Sequence, residues 1–140
     1  MTEKIFKMIK ENEVKFVDFR FTDPKGKWQH TAQTVESVDE DLLKNIVLFD
    51  GSSISGCKSI NESDMILKPD LNTAVLDPFT AQPQLIIFCN VVEPSTGEMY
   101  SRCPRSTAVR ATEYLKKTGI ADTAYFGPEA EVFVFDDVKW

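Results

Sequence analysis

Two glutamates stand one residue apart, Glu129 and Glu131, in the run Phe126-Gly127-Pro128-Glu129-Ala130-Glu131-Val132-Phe133-Val134-Phe135-Asp136. The run reads as a strand, because β-branched and aromatic residues dominate it and nothing after Pro128 breaks it. Strand side chains alternate between faces. Glu129, Glu131, Phe133 and Phe135 therefore share one face, and Phe126, Ala130, Val132 and Val134 the other. A strand that is apolar on both faces is usually buried. Carboxylates inside it are costly unless paired, hydrogen-bonded or bound to a cation. Two strand rises separate their α-carbons by about 6.6 Å, a spacing suited to feeding one or two hard divalent ions. Placement of both glutamates at an exposed strand end is the alternative, and the pattern by itself leaves both readings open.

A second carboxylate, Asp50, sits in Phe49-Asp50-Gly51-Ser52-Ser53-Ile54-Ser55-Gly56-Cys57. Such Gly/Ser composition reads as a surface turn, or as a mobile loop presenting the carboxylate. It is no P-loop, since no Gly-Lys-Ser/Thr follows and no helix begins there. Asn61-Glu62-Ser63-Asp64 reads first as a polar turn. Arg102 and Arg105 flank Pro104, where structural salt bridges are the default. His30 is the single histidine and reads as a surface or edge residue, so a local Ser-His-Asp triad or a histidine-rich metal site has no support. Trp28 reads as packing.

These residues need elements to hold them. Glu3–Glu11 has helical spacing, with Thr2 available as a cap. Val14–Phe21 reads as a strand with Val17, Phe19 and Phe21 on one face and Asp18 and Arg20 on the other. Asp23-Pro24-Lys25-Gly26 is a turn, and Trp28–Gln33 closes a hairpin. Ser37-Val38-Asp39-Glu40 reads as a capping box before Leu42, Leu43 and Ile46. Strands are expected at Met65–Leu67, Thr73–Leu76 and Gln84–Val92, the last central and buried. After the break at Glu93–Gly97, Pro104 opens a helix that Gly119 closes, with Ala108, Ala111 and Leu115 facing inward. One helix and one strand cannot bury a core alone. The segment after the Pro94–Pro104 boundary is therefore expected to begin a second domain of a longer protein.

The 140 residues carry a formal net charge of −6 and a pI near 4.8, which disfavours a nucleic-acid partner. No stretch has bilayer-spanning apolar length. The start Met1-Thr2-Glu3-Lys4 is no signal peptide. Cys57, Cys89 and Cys103 are odd in number and lack metal-ligand spacing, which reads as free thiols in a reducing cytoplasm.

Four motifs together carry a family resemblance. Phe49-Asp50-Gly51-Ser52-Ser53-Ile54, Ile60-Asn61-Glu62-Ser63-Asp64-Met65, Pro104-Arg105-Ser106 and Gly127-Pro128-Glu129-Ala130-Glu131, with Lys15-Phe16-Val17-Asp18 before the hairpin, resemble the N-terminal part of bacterial type I glutamine synthetases in order and spacing across essentially the whole chain. The resemblance implies an α+β fold. Residues 1–98 would form a β-grasp domain, and residues 99–140 would be the first helix and strand of an incomplete antiparallel catalytic domain. It implies ATP-dependent ligation of ammonia to glutamate through γ-glutamyl phosphate, with two Mg²⁺ or Mn²⁺ ions. Glu131 would bind the ion nearer glutamate and Glu129 the ion nearer the ATP phosphates. Asp50 would reach into a neighbouring subunit's active site, bind ammonium and take its proton, with Ser53 and Asp64 shaping the loop and its interface. The resemblance further implies a cytoplasmic homo-oligomer of two stacked six-membered rings, with neither a nucleic-acid nor a membrane partner.

Two departures stand out. Cys57 occupies a position where members often carry tryptophan, which alters how the loop packs on its neighbour. Ala130 replaces a common proline and keeps the strand register. With the family's remaining ligands and its nucleotide pocket beyond Trp140, the 140 residues alone are expected to be inactive and to bind metal weakly. Two alternatives are a related ligase joining glutamate to a polyamine or other amine, and a stand-alone β-grasp interaction module without catalysis.

Overall fold

The computed structural model describes residues 1–44, 47–59 and 63–140. Its central element is β6 (Gln84–Val92), the long apolar run, with the bounds expected from sequence. β1 (Phe16–Thr22) lies parallel to it on one side, and β4 (Asp64–Pro69) antiparallel on the other. β2 (Trp28–Thr34) pairs with β1 and β3 (Val47–Asp50) with β4, giving the order β2-β1-β6-β4-β3. β5 (Val75–Leu76) adds to β6.

The hairpin β1–β2 closes as the turn residues require. Gly26 has φ +86°, a left-handed conformation that glycine adopts without a Cβ penalty. The Asp23 carboxylate accepts hydrogen bonds from the N–H groups of Lys25 and Lys27, both at 2.9 Å, and from the Gln29 side chain at 3.0 Å. The Gln29 amide leads in holding this carboxyl below its ordinary value of 3.8, against burial and with help from the two backbone donors.

Alternation places Val17, Phe19 and Phe21, Met65 and Leu67, and Leu85, Ile87, Cys89 and Val91 in one buried cluster. Helices α1 (Thr2–Glu11) and α2 (Glu40–Lys44) add Ile5 and Leu43 to it. Burying each large side chain contributes about 1.5–3 kcal/mol. Desolvation pushes the Cys89 thiol up to about 12, so it stays protonated and inert.

The other face of β1 carries Asp18 and Arg20, as the alternation predicts. Asp18 is fully buried and is paired accordingly. It meets Arg20 Nε at 2.6 Å and His30 Nδ1 at 2.7 Å, and Arg20 extends the chain to Asp77 at 2.8 Å. Burial lowers the Arg20 pKa, but the hydrogen bonds and charges of Asp18 and Asp77 outweigh it and leave the guanidinium raised. His30 does lie on the edge strand, largely exposed, with a partner that local sequence did not reveal. Trp28 packs edge-on against Phe88 with ring centres 5.0 Å apart.

Several expectations shift. Thr2 is the first residue of α1 and Met1 its cap, with no side-chain cap bond. Asp39 rather than Ser37 caps α2: its carboxylate accepts from the Leu42 N–H at 2.8 Å. Ser37 instead ends a 3-10 turn, Val35–Ser37, and donates to the Thr34 carbonyl. Ile46, assigned to that helix, lies outside the described residues. β3 was not expected from sequence. β5 is shorter than expected because Leu71–Thr73 forms a 3-10 turn capped by Asp70.

Helix α3 (Pro104–Thr118) begins on Pro104 and ends on Gly119 at φ +71°, as its end signals require. Its expected inward face is not realised. Ala108 and Ala111 are exposed and Leu115 half-buried, whereas Ser106 is buried. The helix meets β1 and β6, but none of the described residues buries the face carrying the two alanines.

The buried strand expected at 126–136 is not formed. Residues 121–140 pair with no strand and are exposed throughout. The physical reason is that a strand's hydrogen bonds come from neighbours, and among the described residues no strand lies beside this segment. No helix among the described residues is long and apolar enough to cross a membrane.

Candidate functional site

Asp50 ends β3, directly opposite Asp64 at the start of β4 in the antiparallel register. The chain then turns through the 3-10 segment Gly51–Ser53. Only glycine fits at position 51. A Cβ there would lie 2.8 Å from Met65 Cγ and 3.0 Å from the Ser63 carbonyl oxygen, because the Gly51 N–H donates to that carbonyl at 2.6 Å.

The turn wraps donors around the exposed Asp50 carboxylate. Oδ1 accepts from the Ser52 N–H at 2.8 Å and the Ser52 hydroxyl at 2.6 Å, and Oδ2 from the Ser53 hydroxyl at 3.3 Å. The Ser52 hydroxyl, then its N–H, and with them Ser53 and Ser63 hold this carboxyl below its ordinary value, outweighing the opposing effect of burial. Near neutral pH Asp50 is therefore a fixed, oriented anion at the surface. Such a group attracts a small cation.

The far end of the loop is tied down. Cys57 is buried, its N–H donates to the Ile54 carbonyl at 3.0 Å, and its carbonyl accepts from the Tyr100 hydroxyl. Burial pushes the Cys57 thiol up. The position that departs from the usual tryptophan is thus packed inside its own chain.

Asp50, Ser53 and Asp64 come together at one end of the β3–β4 pair. Ile60, Asn61 and Glu62 of the second motif lie outside the described residues. Glu129 and Glu131 are exposed on the segment after α3, not buried in a strand, and among the described residues no group of three or more His, Cys, Asp or Glu could hold a metal ion. Arg105 makes the structural ion pair expected of it, with Asp70, and bonds Asn90 at 2.8 Å. Arg102 instead donates to the Gly56 carbonyl at 3.4 Å.

Sequence reading missed Ser52, Ser63 and Tyr100. The Asp-Gly-Ser-Ser order carried a signal for the first, since an Asp side chain commonly accepts from the amide two residues on. Tyr100 had none, because its partner is 43 residues away.

The chain has clear relatives. Residues 13–94 match the family model described as the β-grasp domain of glutamine synthetase, and residues 101–140 match that of its catalytic domain. The chain is 64% identical to a glutamine synthetase of Azospirillum brasilense and 60% identical to one of Rhizobium meliloti, each over 137 residues and covering 98% of this chain. It spans about 29% of the length of those relatives. A cryo-EM structure of a Plasmodium falciparum glutamine synthetase superposes with a TM-score of 0.78 at 28% identity, over 87% of this chain and 24% of the other.

Proposed function

The chain belongs to the glutamine synthetase family, and on that premise we propose that it supplies the ammonium-binding loop and two metal-binding carboxylates of a glutamate–ammonia ligase. The observation that carries this reading is the Asp50 carboxylate, exposed and oriented by hydrogen bonds from Ser52 and Ser53. Ammonium is the dominant form near neutral pH, and a fixed anion concentrates and orients it. The same carboxylate is placed to accept the proton that ammonium must lose before its nitrogen can attack. Ser53 orients the carboxylate, and Asp64 places a second negative charge beside it. The loop would act in the active site of a neighbouring copy, within two stacked six-membered rings. The substrates would be glutamate, ammonium and ATP.

Glu129 and Glu131 offer only oxygen donors, which is the right chemistry for Mg²⁺ or Mn²⁺. Two carboxylates fall short of a full coordination shell, so further ligands must complete it. Glu131 is assigned to the ion nearer glutamate and Glu129 to the ion nearer ATP. When bound, such ions neutralise phosphate charge and orient phosphoryl transfer. A division near residue 98 into a β-grasp domain and the start of a catalytic domain is supported by the gap between the two matched segments. The match of residues 101–140 to the catalytic domain also argues against a stand-alone interaction module. A cytoplasmic location belongs to the same proposal.

The test is Asp50→Ala in the enzyme carrying this segment. Glutamine formation is expected to fall by about 10²-fold or more, most steeply at low ammonium. Unchanged turnover at limiting ammonium would overturn the assignment.

A further inference from the structure

We propose that Tyr100 is a positioning residue for the Asp50 loop, holding the loop's far end against the central strand so that the carboxylate keeps its aim. This deepens, and rests on, the reading of Asp50 as the ammonium-binding group.

The loop is fixed at two places. At its start, the Gly51 N–H is bonded to the Ser63 carbonyl and Gly51 packs against Met65, which anchors it to β4. At its end, the Tyr100 hydroxyl donates to the Cys57 carbonyl. Tyr100 is itself immobilised. It is buried, its N–H donates to the Val91 carbonyl of β6 at 2.8 Å, and its own carbonyl accepts from the Cys103 N–H at 3.1 Å. Lys58 Nζ sits 5.7 Å from the centre of its ring and 2.9 Å from Glu93 Oε1, so a charged pair closes over the same spot. Arg102 adds a longer bond to the Gly56 carbonyl. Between the anchors, Ser53, Ser55 and Gly56 are exposed. Ile54 packs against the core between them, so the path of the exposed residues is set by the two fixed ends and this one contact.

The tyrosine side chain suits this task. Its hydroxyl stays protonated, since burial raises its pKa and the neighbouring Cys57 raises it further. It therefore donates steadily to a carbonyl oxygen. Tyr100 also lies between the segments matched to the two domain models, 13–94 and 101–140. The residues entering the second domain thus set the loop that the first domain carries.

Tyr100→Phe keeps the ring and removes only the donor. In the assembled enzyme carrying this segment, loss of one such bond is expected to raise the KM for ammonium about five- to tenfold while kcat and the KM values for glutamate and ATP stay within about twofold. Hydrogen exchange at residues 51–57 should quicken by a similar factor. Unchanged loop exchange would overturn the proposal. So would faster exchange with an unchanged ammonium KM, when Asp50→Asn raises that KM in parallel. If Asp50→Asn leaves the ammonium KM unchanged while Tyr100→Phe still quickens exchange at 51–57, the Asp50 reading fails and the anchoring of the loop by Tyr100 stands.

Discussion

β6 and the segment after α3 have nearly the same local character and opposite outcomes. Gln84-Leu85-Ile86-Ile87-Phe88-Cys89-Asn90-Val91-Val92 and Glu131-Val132-Phe133-Val134-Phe135 are both apolar on both faces and rich in β-formers. The first is flanked by β1 and β4 and carries Leu85, Ile87 and Cys89 fully buried. The second has no flanking strand among the described residues, and Phe133 is 90% exposed. Residue type makes a strand possible, but a ladder on each side makes it real. The same contrast separates the two candidate sites. Asp50 is oriented by groups within its own loop, whereas Glu129 and Glu131 are exposed, with no ladder to them among the described residues.

If neighbours decide, equal truncations in the two regions have unequal costs. Phe19→Ala, in the core beside β6, should destabilise the protein by about 3–5 kcal/mol. Phe133→Ala in the same chain should stay within about 0.5 kcal/mol. Urea unfolding measures both, and a comparable loss at Phe133 would mean that the segment has found a partner. A smaller effect sharpens the contrast at the backbone. Gly51→Ala places a methyl against Met65 and the Ser63 carbonyl and should cost about 1–3 kcal/mol. Gly127→Ala meets nothing within 4 Å and should be close to neutral; thermal melts that rank the two the other way would contradict the close approach at Gly51.

The smallest effect is a pH dependence confined to the packed region. The Asp23 carboxyl is held below its unfolded value of 3.8, so the folded state binds its proton less readily. The resulting stabilisation is fully present above that value and is lost as pH falls through the folded one. Asp23→Asn should remove this part of the acid dependence, and an unchanged acid limb in the variant would show that the turn does not supply it.

Much of the fold was legible because its signals are local. β6 follows from the apolar run Leu85–Cys89 with Val91 and Val92 beyond it, the ends of α3 from Pro104 and Gly119, and the hairpin from Asp23–Gly26. Other features depended on distant residues. β3 has only four residues and acquires its identity by pairing with β4. Ala108 and Ala111 have inward-facing periodicity but are exposed among the described residues. Asp39 displaced Ser37 as the cap because the preceding residues wind into a 3-10 turn. The Asp50 loop was visible as a motif, yet its serine donors and its anchor at Tyr100 were not, since the anchor depends on a contact far along the chain.

The pairing of β1 with β6 sets a folding order. Phe16 lies opposite Gln84, so the parallel pair at the middle of the sheet joins the first strand to the last. Loop closure over so long a separation is slow, and parallel pairs depend wholly on it. The β1–β2 hairpin can form early from local contacts, but the other edge of β1 stays unpaired until β6 arrives. A nascent chain emerging from the ribosome therefore carries an open strand edge until Val92 has been made, and that is when it is most exposed to misassembly.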